Sequence, residues 1–264
     1  MTLSAKLKER YDKPHLSYSS VKNALSDMAQ FDRYMKGELK FRSDALDFGT
    51  LYDMLLFERD KAMDSYCIVS DDRILSDCTQ KTRDSKRYKL TNDYKSGKAK
   101  LEEKAKEEGK TLCSTDDWKM ANEMIDRLVE CGLVKSHLSG DFQVEFNEDI
   151  PTAHGPVAVK GFLDCLGDGF ISDSKSTKSV SKFRYSVRDF SYDIQAYIYT
   201  KVFDIKDFYW VAQEKTYPYL PALVKCSENT LFTGEMKFND GIDRIVKFLD
   251  GKEKPTVYYE EYEV

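Results

Sequence analysis

Apolar residues recur at helical spacing through the first half of the chain. Val21, Leu25 and Met28 follow serine residues that can cap a helix, and their spacing of three or four residues is typical of an amphipathic helix. The helices predicted in this way span residues 16–40, 48–58 and 115–135. Residues 79–110 are polar and charged, so we expect a mobile, partly helical excursion there rather than core.

The pattern changes after Gly140. Short segments rich in Val, Phe and Ile, bounded by Gly, Pro, Asn or Asp, predict β-strands. The predicted strands are residues 141–147, 157–166, 169–175, 207–213 and 219–225, and the predicted helices are residues 181–203 and 233–249. This order predicts an α/β fold with a mixed central sheet flanked by helices and an N-terminal helical region. We expect one domain, mainly helical over 1–140, with an α/β core over 141–264.

Composition agrees with a water-soluble chain that has a sizeable core. Of the 264 residues, 41% are hydrophobic and 33% are charged. No stretch approaches the roughly 20 apolar residues of a membrane span. The first residues lack the apolar segment of a secretory signal. We therefore expect a cytoplasmic protein that does not contact a membrane.

The six cysteines do not form a metal-binding pattern. None lies in a C-x-x-C pair, and their spacing fits neither a zinc site nor an iron–sulfur cluster. We expect reduced and mostly buried thiols, with no zinc and no iron–sulfur cluster bound.

Charge is unevenly distributed along the chain. The net charge is −5, which argues weakly against a nucleic-acid partner, but residues 81–100 hold eight Lys or Arg against two Asp. This segment is either a phosphate-binding surface or a solvated loop. The last residues, YYEEYEV, are acidic. The basic residues that we predict to contact DNA phosphates are Lys86, Arg87, Lys89, Lys160 and Lys178.

Two acids and a lysine are placed to converge on one face of the predicted sheet. Asp164 interrupts an apolar strand, and Asp173 and Lys175 share a face of the next strand because side chains alternate. A turn through residues 167–169 would bring Asp164 beside Asp173. Carboxylates bind Mg²⁺, and a nearby ammonium can orient water or stabilise charge on a phosphate. Spacing alone also suits a turn with solvated acids and a surface ion pair.

Two further pairs flank this set. Gln143 and Glu145 share one strand face, and we favour Glu145 as a third metal ligand because of its charge, although both also suit the polar face of an edge strand. Gln195 and Tyr199 are four residues apart in a predicted helix and therefore share a face. They could bind a phosphate or brace the lysine, or simply pack in the core.

Several segments together resemble the RecB-like branch of the PD-(D/E)xK nucleases, in particular the phage exonucleases related to RecE (exonuclease VIII). VKGFLDCL is similar to the family's K-G-x-x-D strand, ISDSKST to its D-x-K-[ST]-T strand and YDIQAYIY to its Q-x-x-x-Y helix. FGTLYDMLLFE resembles its G-T-x-x-H-x-L-L-x-E helix. LSYSSVKNAL, TLCSTDDWKMANEM and VAQEKTYPY also match, and all seven segments follow the family order over residues 15–225.

The resemblance implies roles for individual residues. Asp164 and Asp173 would be metal ligands, and Lys175 would be the catalytic lysine. Gln195 and Tyr199 would be the Q-x-x-x-Y pair near the substrate phosphate. Asp53 stands where the family has histidine and could still ligate the metal. The family's acidic ligand could align with Gln143 instead of Glu145, and the expected metal is Mg²⁺, with Mn²⁺ as a substitute.

The resemblance also implies an activity. We expect a Mg²⁺-dependent exodeoxyribonuclease that digests one strand of double-stranded DNA from an end and exposes single-stranded DNA for recombination. A single-strand-annealing protein and a ring-like homo-oligomer are the expected partners, in a host cytoplasm if the chain is phage-encoded. A structure-specific endonuclease on branched or flapped DNA is the alternative. A non-catalytic DNA-binding or scaffold protein is a third hypothesis, which the intact Asp164–Asp173–Lys175 set argues against.

Overall fold

A computed structural model describes residues 1–39 and 43–255. The acidic C-terminal stretch and the last residue of the predicted helix 16–40 lie outside the described residues. The helices are α1 (Leu3–Tyr11), α2 (Tyr18–Ser26), α3 (Met28–Met35), α4 (Asp44–Phe57), α5 (Arg59–Ser65), α6 (Asp71–Ser76), α7 (Gln80–Arg83), α8 (Asn92–Glu107), α9 (Thr115–Glu130), α10 (Gly132–Lys135), α11 (Phe183–Asp189), α12 (Tyr192–Phe203) and α13 (Glu228–Leu249). The strands are β1 (Tyr66–Val69), β2 (Thr111–Ser114), β3 (Asp141–Thr152), β4 (Gly155–Leu166), β5 (Phe170–Thr177), β6 (Asp207–Glu214) and β7 (Pro221–Lys225).

The chain divides into two compact units. The first unit comprises Met1–Arg42 and Val129–Val264, and the second comprises Ser43–Leu128. The expectation of one nuclease domain over the whole chain stays a prediction.

The first unit contains a five-stranded sheet in the order β3-β4-β5-β6-β7. β5 and β6 are parallel, whereas the other neighbouring strands are antiparallel. The predicted mixed sheet flanked by helices is therefore confirmed. Its strands pack against α12, and α12 packs against α13, through buried apolar side chains, among them Ile171, Phe208, Ile198 and Phe238. Burying each such side chain contributes about 1.5–3 kcal/mol.

Strands β4 and β5 separate soon after the turn that joins them. Gly167 donates its backbone N–H to the carbonyl of Phe170 at 2.9 Å, and Gly169 has a φ of +78°, which glycine adopts without strain. The strands then pair through only two residue pairs, Cys165 with Ser172 and Leu166 with Ile171. Beyond these pairs the two backbones diverge and leave room for side chains between them.

Several predicted boundaries need correction. The predicted helix 16–40 is two helices, because the Asp27 carboxylate accepts a hydrogen bond from the Ala29 backbone N–H at 2.8 Å and caps a new helix. The predicted helix 181–203 is also interrupted, because Ser191 adopts a left-handed conformation between α11 and α12. Strand β7 begins two residues later than predicted, since Tyr219 has a positive φ.

The second unit is mainly helical. Its short strands β1 and β2, which the sequence did not predict, form a parallel pair. The segment 79–110 includes α7, a 3₁₀ turn at Tyr88–Leu90 and the 16-residue helix α8, so the expected partial helicity is confirmed. Ile74, Cys78 and Tyr94 form a small buried cluster within this unit.

The thiol prediction is confirmed, because all six cysteines are free and only Cys131 is not buried. Among the residues with described structure, no helix combines the length and apolar character that crossing a membrane requires.

Candidate active site

Asp164 occupies the point at which β4 and β5 diverge. Its Oδ2 accepts a hydrogen bond from the backbone N–H of Ser174 at 2.9 Å. Ser174 still pairs with Val211 of β6, and the carboxylate replaces the β4 partner that it lacks beyond the last paired residues. Oδ1 of Asp164 accepts a longer hydrogen bond, 3.3 Å, from Nε2 of Gln143 on β3. Because β4 and β5 diverge here, the Asp164 carboxylate reaches the β5 backbone.

Asp173 is the buried member of the set, with 2% of its surface exposed. Its Oδ1 accepts a hydrogen bond from Nε2 of Gln195 at 2.8 Å, and its Oδ2 forms an ion pair with Lys175. Burial raises the pKa of Asp173 well above its usual range, although the Lys175 ammonium lowers it and the Asp164 carboxylate raises it. The charged form of Asp173 is costly here unless a cation compensates it.

Lys175 lies on the same strand face as Asp173, as the alternation predicts. Its Nζ donates to the carbonyl of Ser174 at 3.1 Å and lies 5.2 Å from the centre of the Tyr192 ring. The lysine side chain remains 19% exposed. The ammonium is thereby held beside the buried carboxylate but keeps access to a bound substrate.

Gln195 and Tyr199 brace the site from α12. Nε2 of Gln195 also donates to the Tyr199 hydroxyl at 3.1 Å, and that hydroxyl donates to the carbonyl of Phe162 on β4 at 2.7 Å. Both side chains are more than 90% buried. Their hydrogen bonds connect Asp173 to the β4 backbone. Burial raises the pKa of Tyr199, which keeps its hydroxyl a hydrogen-bond donor.

Gln143 contacts Asp164, whereas Glu145, which we favoured as the third metal ligand, is paired with another residue. Glu145 lies opposite Phe162 and forms an ion pair with Lys160 at 2.7 Å, whereas Gln143 contacts Asp164. Gln143 has a φ of 51°, an uncommon conformation that carries its side chain to Asp164. Across the described ranges, 1–39 and 43–255, no three His, Cys, Asp or Glu side chains cluster to hold a metal. Ligation by Glu145 stays a prediction and would require its ion pair with Lys160 to open.

The residues present nevertheless fit a divalent cation. Asp164 and Asp173 supply hard carboxylate oxygens, which Mg²⁺ prefers, and Mg²⁺ commonly keeps several water ligands. Oε1 of Gln195 is buried and has no hydrogen-bond partner in the described structure, so it can accept from such a water. A cation would also remove the cost of ionising Asp173. Two carboxylates with water completing the shell therefore suit this site.

Comparison with known proteins agrees with this geometry. Residues 17–262 match the family described as a PDDEXK-like domain of unknown function. The chain belongs to this family. Nucleases of the PDDEXK type generally use divalent metal ions. The suspected PD-(D/E)xK membership is therefore confirmed.

The PDDEXK-like chain is also similar in fold to proteins of known structure. A crystal structure of a protein named "putative exonuclease" from Eubacterium rectale aligns with a TM-score of 0.62 and 18% identity, covering 95% of this chain and 86% of that chain. At that identity the likeness shows the fold. The structure named SSO0001 aligns with a TM-score of only 0.32 and 12% identity, over 81% of this chain and 90% of that chain. No curated protein matches the sequence significantly.

Two predicted groups of the PDDEXK-like chain lie in the second unit. Asp53 is half-buried on α4, beside the buried Tyr52, and its metal ligation stays a prediction. Lys86, Arg87 and Lys89 line an open pocket with a volume of about 300 Å³.

An acidic residue organises this basic surface. Asp71 accepts hydrogen bonds from the hydroxyls of Tyr88 at 2.7 Å and Tyr94 at 2.6 Å, and forms an ion pair with Lys89 at 2.7 Å. These hydrogen bonds, the one from Lys89 first, lower the pKa of Asp71 to about 2. Part of the positive charge of Lys89 is thereby neutralised, so Lys86 and Arg87 are the better candidates for phosphate contact.

The remaining predicted basic residues belong to the first unit. Lys178 is exposed just after β5, and Lys160 is half-buried on β4. Sequence reasoning missed three groups that contact the site residues. They are the Ser174 backbone amide, the Tyr192 ring near Lys175 and the Phe162 backbone carbonyl. Only Tyr192 left a usable signal, because it lies one helical turn before Gln195.

Proposed function

We propose that this chain is a Mg²⁺-dependent exodeoxyribonuclease that digests one strand of double-stranded DNA from an end. The convergence of Asp164, Asp173 and Lys175 where β4 and β5 diverge carries the proposal. Membership of the PDDEXK-like family supports the nuclease part of it. The name of the Eubacterium rectale protein agrees with an exonuclease. Exposed single strands would serve recombination, with a single-strand-annealing protein as partner.

Each residue of the site has its own role in the proposed reaction. A bound divalent cation supplies polarisation of the phosphodiester and lowers the pKa of a water ligand. Asp164 and Asp173 would hold it, and Mn²⁺ is expected to substitute for Mg²⁺. The Lys175 ammonium orients the attacking water or stabilises charge that develops on the phosphate. Gln195 keeps the Asp173 carboxylate in position through its 2.8 Å hydrogen bond.

End dependence must come from access, because such a site hydrolyses any phosphodiester that it can reach. The net charge of −5 makes loose binding to duplex flanks weak. A ring of subunits lined locally by Lys and Arg would retain duplex by threading instead. We therefore propose a homo-oligomeric ring, which the resemblance to RecE-type exonucleases also implies.

A comparison of DNA topologies tests this proposal. With Mg²⁺, we expect linear duplex to be degraded progressively and covalently closed circles of the same sequence to survive. EDTA should stop the reaction, and sedimentation at the same concentration should show an oligomer. Rapid linearisation of closed circles would overturn end dependence and favour the endonuclease alternative, to be checked on flapped DNA. Failure to cleave any of these substrates would favour the non-catalytic alternative.

The basic surface of the second unit provides a second test. We expect Lys86→Ala combined with Arg87→Ala to reduce the slope of log affinity against log salt by about two, since each phosphate contact contributes roughly one. Affinity for duplex would be measured by anisotropy from 50 to 200 mM salt with Ca²⁺. Lys61→Ala combined with Lys119→Ala removes two exposed lysines of the same unit as a matched control. Equal slopes for the two double variants would indicate a solvated loop.

A further inference from the structure

A short basic and aromatic segment connects β5 to α12. Residues 178–190 hold four Lys or Arg against one Asp, although the whole chain carries a net charge of −5. The exposed side chains of this segment include two aromatic rings as well as the four cations: Tyr185, Phe190, Lys178, Lys182, Arg184 and Arg188. Cations interleaved with accessible aromatic rings are typical of surfaces that bind single-stranded nucleic acid.

Buried contacts hold this segment on the face of the sheet that carries Asp173 and Lys175. Phe183, the first residue of α11, is buried, and its ring centre lies 6.1 Å from that of Trp210 and 6.2 Å from that of Tyr192. Trp210 is the register partner of Asp173 on β6, so their side chains emerge on the same face. The centre of the Tyr192 ring lies 5.2 Å from Nζ of Lys175. α11 therefore begins beside the candidate active site.

Phe190 extends this aromatic surface from the site to solvent. Its ring centre lies 5.6 Å from that of Tyr192, and 52% of the residue is exposed. Its backbone carbonyl accepts a hydrogen bond from the hydroxyl of Tyr18 on α2, which holds the residue in place. A single ring, that of Tyr192, thus separates Phe190 from the Lys175 ammonium. A base stacked on Phe190 would belong to a nucleotide close to the phosphate at Lys175.

Two guanidinium groups next to Phe190 are available to further phosphates. Cζ of Arg184 lies 4.9 Å and Cζ of Arg188 5.7 Å from the centre of the Tyr185 ring, which orients both side chains. Among the residues that the structure describes, Arg184 forms no ion pair with an acid. Arg188 pairs with the neighbouring Asp189 at 3.0 Å, but both side chains are mostly exposed and such a pair contributes little. A DNA phosphate can therefore replace Asp189.

We propose that Arg184, Tyr185, Arg188 and Phe190 form a binding surface for single-stranded DNA, which we name the α11 surface. The proposal rests on the proposed nuclease function and adds that the strand to be cut is unpaired where it approaches the metal site. Bases in a duplex are already paired and stacked, so an exposed ring is accessible to an unpaired base. Stacking tolerates any base, because every base has a π-face. The α11 surface would favour frayed or single-stranded DNA without sequence preference.

Replacing the ring of Phe190 tests base stacking. We expect Phe190→Leu to weaken binding of a single-stranded oligonucleotide about 5- to 100-fold and to leave binding of a duplex of the same length nearly unchanged. Phe190→Tyr keeps the ring and should bind as wild type. Affinities would be measured by fluorescence anisotropy, with Ca²⁺ in place of Mg²⁺ so that the DNA stays intact.

Phe232→Leu is the matched control, because Phe232 is 62% exposed on α13. Gly234, which packs against α12, is about 200° further around the helix, so Phe232 faces away from α12. This variant should bind both forms of DNA as wild type does.

Removing the two guanidinium groups tests the phosphate contacts. Arg184→Ala combined with Arg188→Ala should reduce the slope of log affinity for the single strand against log salt by about 1.4, since each phosphate contact contributes roughly 0.7. Lys8→Ala combined with Lys206→Ala removes the same charge from exposed positions on α1 and before β6. Equal slopes for the two double variants would overturn the α11 surface.

Separate outcomes judge the α11 surface and the nuclease. If wild-type protein degrades linear duplex with Mg²⁺ but Phe190→Leu binds the single strand as tightly as wild type does, the surface is overturned and the nuclease stands. If wild-type protein cleaves nothing while Phe190→Leu weakens single-strand binding and Phe232→Leu does not, the surface stands and the nuclease fails. Equal weakening on duplex and single strand, or equal weakening by Phe190→Tyr, would also overturn the surface.

Discussion

Asp173→Asn should reduce DNA cleavage by at least about 10²- to 10³-fold while the protein remains folded. Asparagine keeps the shape of the side chain and can still accept from Gln195, but it lacks the charge that holds a cation. Folding should survive, because the charged form of this buried carboxylate is itself costly and the partially exposed Lys175 can turn to solvent. Cleavage of linear duplex and the thermal unfolding midpoint are the two measurements.

A second site variant and a control variant test the same assignment. Lys175→Ala should lose activity to a similar degree, because no other ammonium is shown beside Asp173 in the described structure. Asp168→Asn is the matched control, since it makes the same replacement at an exposed residue of the turn between β4 and β5. Near-wild-type cleavage by Asp173→Asn would refute the site assignment. So would cleavage that persists in EDTA.

Gly234→Ala should destabilise the first unit by about 3 kcal/mol, because the added methyl group has no space. A Cβ at Gly234 on α13 would lie 2.1 Å from the carbonyl oxygen and 2.6 Å from the carbonyl carbon of Asp193 on α12. Backbone atoms of a packed helix cannot move aside as a flexible side chain can. The two helices would separate, and α12 would shift Gln195 away from Asp173. We expect a lower urea midpoint together with reduced cleavage.

Gly132→Ala controls for the general effect of replacing glycine. Its Cβ would meet no atom within 4 Å, and we expect a change in stability within about 1 kcal/mol. An unchanged urea midpoint for Gly234→Ala would show that α12 and α13 do not approach as closely as the structure indicates.

The sequence alone determined the strands of the five-stranded sheet and the residues that share a face of β5. Alternation placed Asp173 and Lys175 together on β5, and the glycines at 167 and 169 indicated the turn that returns the chain beside β4. These predictions depend on local geometry, namely the two-residue repeat of a strand and the backbone freedom of glycine. They held because one face of the sheet is buried in the core, so a shift of register would expose apolar side chains.

Tertiary structure decided which groups touch Asp164 and Asp173. The hydrogen bond from the Ser174 amide to Asp164 exists only because β4 and β5 diverge, and divergence has no signature in the alternating pattern. The contact of Gln143 with Asp164 depends on a left-handed backbone conformation that a non-glycine residue adopts only when its surroundings impose it. The pairing of Glu145 with Lys160 likewise follows from cross-strand neighbours. Sequence therefore identified the acids and the lysine, whereas their partners were set by contacts between residues distant in the chain.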